Sequence, residues 1–130
     1  MVAAGCTSTT TAATGSSTLA TTVSARPTTD ATLQIVSPAP NARTGADVSV
    51  KMRLDNAHLA PPTQTGGAIR GDQGHIHLSL DGQLIAMPLR LAEGLPPLRP
   101  GVHTVQAEFV ASDHLPFRNR VVAAVTFDVR

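Results

Sequence analysis

The feature that most constrains the fold of this chain is residues 74–82, which alternate apolar and polar side chains and end in Asp-Gly. Three large aliphatic residues occupy every second position of this segment: Ile76, Leu78 and Leu80. Because successive side chains of a strand point to opposite faces, these residues predict a buried face, and His75 and His77 are expected on the exposed face. The Asp-Gly dipeptide favours a two-residue hairpin turn, so the strand is expected to continue into a hairpin.

The rest of the apolar pattern also has the period of β-strands. Further strands are predicted in six segments bounded by prolines, glycines or other turn residues: 31–36, 47–54, 83–87, 89–91, 102–110 and 121–129. No segment has the spacing of an amphipathic helix. Six or seven short strands joined by turns predict an all-β, antiparallel, two-sheet β-sandwich, and their spacing and order resemble those of an immunoglobulin-like domain.

The chain before the predicted sandwich has a different composition. Residues 7–29 are mostly Thr, Ser and Ala and contain almost no large apolar side chain. Such a segment buries too little apolar surface to offset the entropy of ordering it, so we expect a disordered tether. The sequence therefore predicts two parts, a tether in residues 1–30 and one folded domain in residues 31–130.

The single cysteine of the chain precedes this tether. Cys6 follows Val2-Ala3-Ala4-Gly5, a run of small residues similar to the end of a bacterial lipobox. A lipid on Cys6 would anchor the chain, and residues 7–29 would space the domain from the membrane. No charged and apolar signal segment precedes Cys6, so this interpretation requires a natural start upstream of Met1. The alternative is a chance match at the start of a cytosolic protein.

Charge and composition argue against nucleic-acid binding and against catalysis. The net charge is +1, and the ten Lys and Arg residues are scattered along the chain. The chain has no Trp, no Tyr and three Phe, so neither a basic stripe nor an aromatic platform for bases is expected. An enzyme is not expected either, because no nucleophile motif and no paired catalytic acids appear in the sequence.

Four of the five histidines are expected at one end of the sandwich. In the immunoglobulin-like topology, the long loop 55–74, the start of the strand at 75–80 and the loop 111–119 meet at the same end. The predicted group contains five side chains: His58, His75, His77, Asp113 and His114. The fifth histidine, His103, is expected at the opposite end.

Two interpretations of this group remain open. Because His75 and His77 lie two positions apart on one strand face, both imidazoles are able to bind a single metal ion. His114 would be the third ligand, and Asp113 or His58 would complete the site. Nitrogen and oxygen ligands without a cysteine or a methionine favour Cu(II) or Zn(II). In the alternative interpretation, His75 and His77 are solvated residues of a strand face, and His114 packs in its loop or caps it.

His103 has a structural interpretation instead. It follows Arg99-Pro100-Gly101-Val102 at the start of the strand predicted for residues 102–110. Immunoglobulin-like domains often place there a tyrosine whose hydroxyl bonds back across the corner, and this chain has no tyrosine. We therefore expect His103 to form a structural histidine corner rather than a ligand site.

Three motifs carry a resemblance to a known group of proteins. They are the His-x-His strand ending in Asp-Gly at residues 74–82, the Pro-Gly-x-His-Thr corner within 98–106, and Asp-His-x-Pro at 113–116. In this combination the chain resembles a family of small bacterial secreted or lipoprotein immunoglobulin-like domains of unknown function. The resemblance covers residues 31–130 and implies an immunoglobulin-like fold and a location in the cell envelope, without an activity.

These observations lead to two functional hypotheses. The first is a non-catalytic, extracytoplasmic binding or interaction module whose partner is an envelope protein or ligand, and which touches the membrane only through a lipid at Cys6. The second is a copper- or zinc-binding protein that uses His75, His77 and His114. A purely structural spacer domain is the alternative to both, and scattered histidines would favour it.

Overall fold

The computed structural model describes residues 26–61, 63–64 and 67–130, and within these ranges the chain forms nine β-strands. The predicted lipidation residue Cys6 and the predicted tether as far as residue 25 lie outside the described residues. None of the described residues forms a helix of the length and apolarity needed to cross a membrane. The strands are β1 Thr32–Ser37, β2 Arg43–Thr44, β3 Ser49–Asp55, β4 His58–Leu59, β5 Gln73–Leu80, β6 Gln83–Ala86, β7 Ala92–Gly94, β8 Gly101–Ala111 and β9 Pro116–Val129.

The strands form two sheets. One sheet has the order β1-β3-β7, and the other has the order β2-β9-β8-β5-β4, with β6 also paired to β5. In immunoglobulin nomenclature, β1, β3 and β7 correspond to strands A, B and E, whereas β5, β6, β8 and β9 correspond to C, C′, F and G. The prediction of an all-β, immunoglobulin-like sandwich is confirmed.

The core lies between the two sheets and consists mainly of alternate residues of each strand, whose side chains point to the same face. Ile76 and Leu78 of β5 are 0 % exposed, as is Phe109 of β8. The other side chains that are 0 % or 1 % exposed belong to the same alternating sets or flank them: Phe127, Val50, Val105 and Ala107, together with Val110 and Ala111 at the end of β8. Burial of these apolar side chains is the main term that favours this arrangement of strands.

The Asp81-Gly82 turn joins β5 to β6 as predicted. Asp81 has φ 50° and Gly82 has φ 85°, which are the positive values that a type I′ hairpin turn requires. Two short strands lie where the sequence predicted loops. β2 pairs parallel with β9, and β4 pairs parallel with β5, over two residues each. A strand of two residues is too short to show an alternation of apolar and polar side chains, so the sequence pattern does not predict β2 or β4.

Another short strand lies a few residues from its predicted place. The sequence predicted a strand at 89–91, whereas β7 contains Ala92–Gly94 and pairs antiparallel with β3, where Glu93 lies opposite Val50. Leu91 still takes part in this sheet, because its carbonyl accepts a hydrogen bond of 2.8 Å from the Met52 N–H.

β9 begins five residues before the predicted strand. Between β8 and β9 the register shifts, so that Val110 lies opposite Pro116 whereas Phe109 lies opposite Val121. Residues 117–120 therefore form an insertion in β9 that has no backbone pairing partners on β8, similar to an extended β-bulge. Three polar residues of this insertion, at positions 118–120, interrupt the apolar alternation and hide the start of the strand.

Residues 26–30, here called the N-terminal strap, supply partners to this insertion. The Arg118 N–H donates to the Pro27 carbonyl at 3.0 Å. Thr29 and Asn119 bond reciprocally, since the Thr29 N–H donates to Asn119 Oδ1 at 3.0 Å and Asn119 Nδ2 donates to the Thr29 carbonyl at 2.7 Å. The contacts of the domain thus extend to the first described residue, Arg26.

His103 lies at the end of the sandwich where Asp81 turns, and it forms the expected corner. Its Nε2 lies 2.8 Å from the Arg99 carbonyl, four residues upstream, and its Nδ1 lies 2.7 Å from Asp81 Oδ2. The carboxylate of Asp81 and the carbonyl of Arg99 both accept from the imidazolium, so they raise the pKa of His103. The pKa of Asp81 is lowered mainly by the hydrogen bond from the Thr104 N–H and next by the hydrogen bond from His103. The structural interpretation of His103 is confirmed.

We expect the His103–Asp81 pair to stabilise the protein in a defined pH window. The raised pKa of His103 adds stability that is complete below its unfolded value of 6.5 and disappears as pH rises through the folded value. The lowered pKa of Asp81 adds stability above 3.8 that disappears as pH falls. Because the Asp81 side chain is 48 % exposed, the contribution should be at most about 1 kcal/mol.

Urea unfolding at pH 5.5 and pH 8.5 measures this effect. Asp81→Asn is the matched variant, because asparagine tolerates the left-handed turn and lacks the charge. The wild type should lose more stability than Asp81→Asn between the two pH values. An equal loss in both proteins would show that the pair does not stabilise the fold through its charge.

Candidate functional site

His75 is buried, although the sequence predicted it to be exposed. It is 3 % exposed, with Nδ1 at 3.2 Å from the Ala60 carbonyl and Nε2 at 3.3 Å from the Ser112 carbonyl. The alternation assigns His75 correctly to the face opposite Ile76. That face is covered here by the chain after β4, whose Ala60 N–H donates to the Gly74 carbonyl at 2.8 Å, and by the loop between β8 and β9.

His114 lies in that loop, and its ring packs on the ring of His75. The two ring centroids are 4.3 Å apart and the planes are inclined by 10°. His114 has φ 64°, in the left-handed region, which costs a non-glycine residue about 1–2 kcal/mol. The turn is closed by the His114 N–H, which donates to the Ala111 carbonyl at 2.9 Å, and by the Ala111 N–H, which donates to the Leu115 carbonyl at 3.0 Å.

His77 completes the cluster on the other side of His114. The centroids of these two rings are 5.6 Å apart, and His77 Nε2 lies 3.3 Å from His114 Nδ1. One of these two nitrogens carries a proton and donates a hydrogen bond to the other. Partial burial lowers the pKa of His77, the neighbouring His114 and His75 lower it further, and Glu108 opposes them. The neutral imidazole of His77 is therefore favoured. His75, His77 and His114 together are called the histidine end below.

Glu108 and Arg120 border this cluster and were missed by the sequence analysis. Glu108 lies directly opposite His77 in the β5–β8 pairing. Its carboxylate accepts from Arg120 Nε at 2.7 Å and from Arg120 Nη2 at 2.8 Å, and its side chain is only 13 % exposed. Glu108 lies near His77 because β5 and β8, which are far apart in sequence, pair in this register. The sequence alone does not give the register, so it did not predict this contact.

The two additional ligands considered from the sequence, Asp113 and His58, do not join the cluster. The Asp113 carboxylate accepts two hydrogen bonds from the Arg26 guanidinium, at 2.5 and 3.0 Å, and Arg26 lowers the pKa of Asp113. His58 is exposed on β4, opposite Gln73. The structure thus brings together three of the five predicted side chains and leaves Asp113 and His58 outside the cluster.

The geometry of the histidine end limits its chemistry. Both nitrogens of His75 face carbonyl oxygens, so His77 and His114 are the imidazoles with access to an external ligand. In the described part of the chain, no group of three or more His, Cys, Asp or Glu side chains is arranged to hold a metal ion. Within the same part, no serine, threonine or cysteine side chain forms a hydrogen bond with these three imidazoles.

Comparisons with known proteins identify the fold. No protein-family model matches the chain, and no curated protein matches it. Among solved structures, the chain is similar to the fibronectin(III)-like modules of Clostridium thermocellum CbhA, with TM-score 0.50 and 16 % identity over 75 % of this chain and 93 % of the other. A PKD domain of human KIAA0319 gives TM-score 0.45 and 15 % identity over 81 % and 85 %.

A lytic polysaccharide monooxygenase of Jonesia denitrificans gives TM-score 0.44 and 19 % identity over 72 % of this chain and 60 % of that protein. The likeness to the fibronectin(III)-like modules agrees with the two sheets described above. The chain contains an immunoglobulin-like β-sandwich.

Proposed function

We propose that this chain is a non-catalytic, membrane-tethered binding module outside the bacterial cytoplasmic membrane, and that the histidine end is its binding surface. The observation that carries this proposal is the stack of three imidazoles at one end of a rigid sandwich. Loops at the ends of such scaffolds commonly carry binding residues. The lipobox-like segment before Cys6 and the Thr- and Ser-rich composition of residues 7–29 support the location.

The hydrogen bonds of the cluster support binding rather than catalysis. Nucleophilic catalysis needs a hydroxyl or thiol beside a base that a third group orients. Here His77 bonds to His114, and the buried His75 faces the carbonyls of Ala60 and Ser112. The imidazoles thus hold one another and the backbone in place, and they present a fixed polar surface.

The membrane tether is tested in the native host with the complete gene. We expect mass spectrometry to find a lipid on Cys6 and fractionation to find the protein in the membrane fraction. Cys6→Ser should move the protein to the soluble fraction, because the anchor is then absent. An unmodified Cys6 in the cytosolic fraction would contradict the tether.

The binding surface is tested by photo-crosslinking in the same cells. A photoreactive residue replaces Leu115, which is 54 % exposed and adjacent to His114, or Val36 of β1 as a control with 59 % exposure on the other sheet. Adducts should form at position 115 and should be lost when His77 and His114 are both changed to alanine. Equal adducts at positions 115 and 36 would contradict a binding surface at the histidine end.

A second function, Zn(II) binding, is favoured by one distance. His77 Nε2 and His114 Nδ1 are 3.3 Å apart. Two nitrogens bound tetrahedrally to Zn(II) at about 2.0–2.1 Å are about 3.3–3.4 Å apart, whereas adjacent ligands of a square-planar Cu(II) are about 2.8 Å apart. The separation of the pair is therefore closer to that of tetrahedral Zn(II) ligands than to that of square-planar Cu(II) ligands, and Zn(II) would have to displace the proton that the two nitrogens share. Water would supply the remaining ligands, since His75 faces carbonyls and Asp113 binds Arg26.

Calorimetric titration with Zn(II) and Cu(II) tests this second function. A site with two protein ligands should bind Zn(II) with a dissociation constant near micromolar, about −8 kcal/mol. His77→Ala and His114→Ala should each weaken Zn(II) binding by about tenfold or more, because half of the protein ligands are lost. His58→Ala is the control and should not change it. Binding that is unchanged in His77→Ala would rule out this site.

A further inference from the structure

One arginine connects the N-terminal strap to the loop that carries His114. The Arg26 guanidinium donates to both carboxylate oxygens of Asp113, at 2.5 and 3.0 Å. It also donates from Nε to the Pro116 carbonyl and from Nη2 to the Leu115 carbonyl, each at 3.0 Å. The side chains of Arg26 and Asp113 are 27 % and 28 % exposed, so the pair is partly buried.

These hydrogen bonds hold the loop on both sides of His114. Asp113 precedes it, and Asp113 Oδ1 also accepts from the Leu115 N–H at 3.1 Å, which links the two residues that flank the histidine. A left-handed conformation at a non-glycine residue persists only where the surroundings enforce it. Among the described side chains that bond to this loop, Arg26 donates the largest number of hydrogen bonds.

The strap itself is fixed independently of Arg26. The reciprocal bonds between Thr29 and Asn119 and the bond from Arg118 to Pro27 align it with the insertion in β9. On its other side, the Thr29 hydroxyl donates to the Gly71 carbonyl. At Gly71 a Cβ atom would lie 2.7 Å from the Thr28 carbonyl oxygen, so the strap is closely fitted between two segments. The backbone that carries Arg26 is therefore held in a fixed position beside the loop.

We propose that Arg26 is a positioning residue of the binding site, and that the seated strap holds the β8–β9 loop in the conformation that places His114 between His75 and His77. The inference rests on the proposed function of the histidine end. The strap, which follows the predicted tether, is then a part of the binding site. The three histidines take up their full arrangement only while the strap is bound to the insertion in β9.

Three variants of the full chain test the role of Arg26. Arg26→Ala removes all four hydrogen bonds, whereas Arg26→Lys keeps the charge and loses the fork that binds two acceptors. Arg53→Ala is the control, because it removes an exposed Arg–Asp pair on β3, where the Arg53 side chain is 65 % exposed. The readouts are the side-chain ¹⁵N shifts of His77 and His114, amide exchange at residues 111–115 and Zn(II) titration.

We expect both Arg26 variants to shift the His77 and His114 nitrogens and to speed amide exchange in the loop by about tenfold, with the core amides unchanged. Zn(II) binding, where present in the wild type, should weaken by a similar factor. Unchanged histidine shifts in Arg26→Ala, or full restoration by lysine, would overturn the proposal. If the wild type binds no Zn(II) while the histidine shifts still depend on Arg26, the metal function fails and the positioning role stands.

Discussion

Replacement of Gly74 with alanine is expected to destabilise the protein by about 3 kcal/mol, at the upper end of the usual range for overpacking. A Cβ atom on Gly74 would lie 2.0 Å from the Val110 carbonyl oxygen and 3.0 Å from Phe109 Cζ. The nearest obstacle is backbone of the paired strand β8, which is not able to rotate away as a side chain does. The start of β5 would have to separate from β8.

The same substitution should also disturb the histidine end, because His75 follows Gly74 directly. Movement of β5 would pull the His75 ring away from the carbonyls of Ala60 and Ser112, which lie 3.2 and 3.3 Å from its nitrogens. Urea unfolding measures the stability, and the side-chain ¹⁵N shifts of the histidines measure the displacement.

Gly94→Ala is the matched control for this prediction. Gly94 also lies in a strand, β7, and a Cβ atom there meets nothing within 4 Å. Its effect should stay within about 0.5 kcal/mol, as for most surface substitutions. If the two alanine variants had equal stability, the close approach of β5 and β8 at Gly74 would not constrain the fold.

The sandwich was predictable because its main strands bury one face each. In β3, Val50 and Met52 are buried and the intervening Lys51 is exposed, which is the pattern that period two detects. The Asp-Gly turn fixes the position of the hairpin that follows β5. Strands that pair over only two residues, such as β2 and β4, carry no period and depend on contacts far apart in sequence.

The candidate site was predictable only in part, and His75 illustrates why. Alternation determines which face of a strand a side chain occupies, but not whether another segment covers that face. Ala60 and Ser112 provide the cover, and they lie 15 and 37 residues away from His75. Arg26 was missed for a related reason. A segment rich in Thr, Ser and Ala predicts no core, and the strap is held by hydrogen bonds instead.

Phe117 connects the core to the loop of the histidine end, and its replacement with alanine is expected to cost about 3–5 kcal/mol. The side chain is 2 % exposed and stacks on Phe109, with centroids 5.5 Å apart and planes inclined by 22°. Alanine would leave a cavity beneath the start of β9, immediately after the residues that carry His114. The loop would then lose its anchor at its C-terminal end, so the His114 ¹⁵N shifts should change as well.

Two comparisons separate cavity formation from other effects of this change. Phe117→Leu keeps most of the apolar volume and should cost at most half as much as alanine, about 1.5 kcal/mol. Leu115→Ala removes an exposed side chain two residues earlier and should change stability by no more than about 0.5 kcal/mol. An alanine at position 117 as well tolerated as one at 115 would mean that the loop is held by Arg26 and its own hydrogen bonds alone. The predicted order of unfolding free energies, from highest to lowest, is therefore Leu115→Ala, Phe117→Leu and Phe117→Ala.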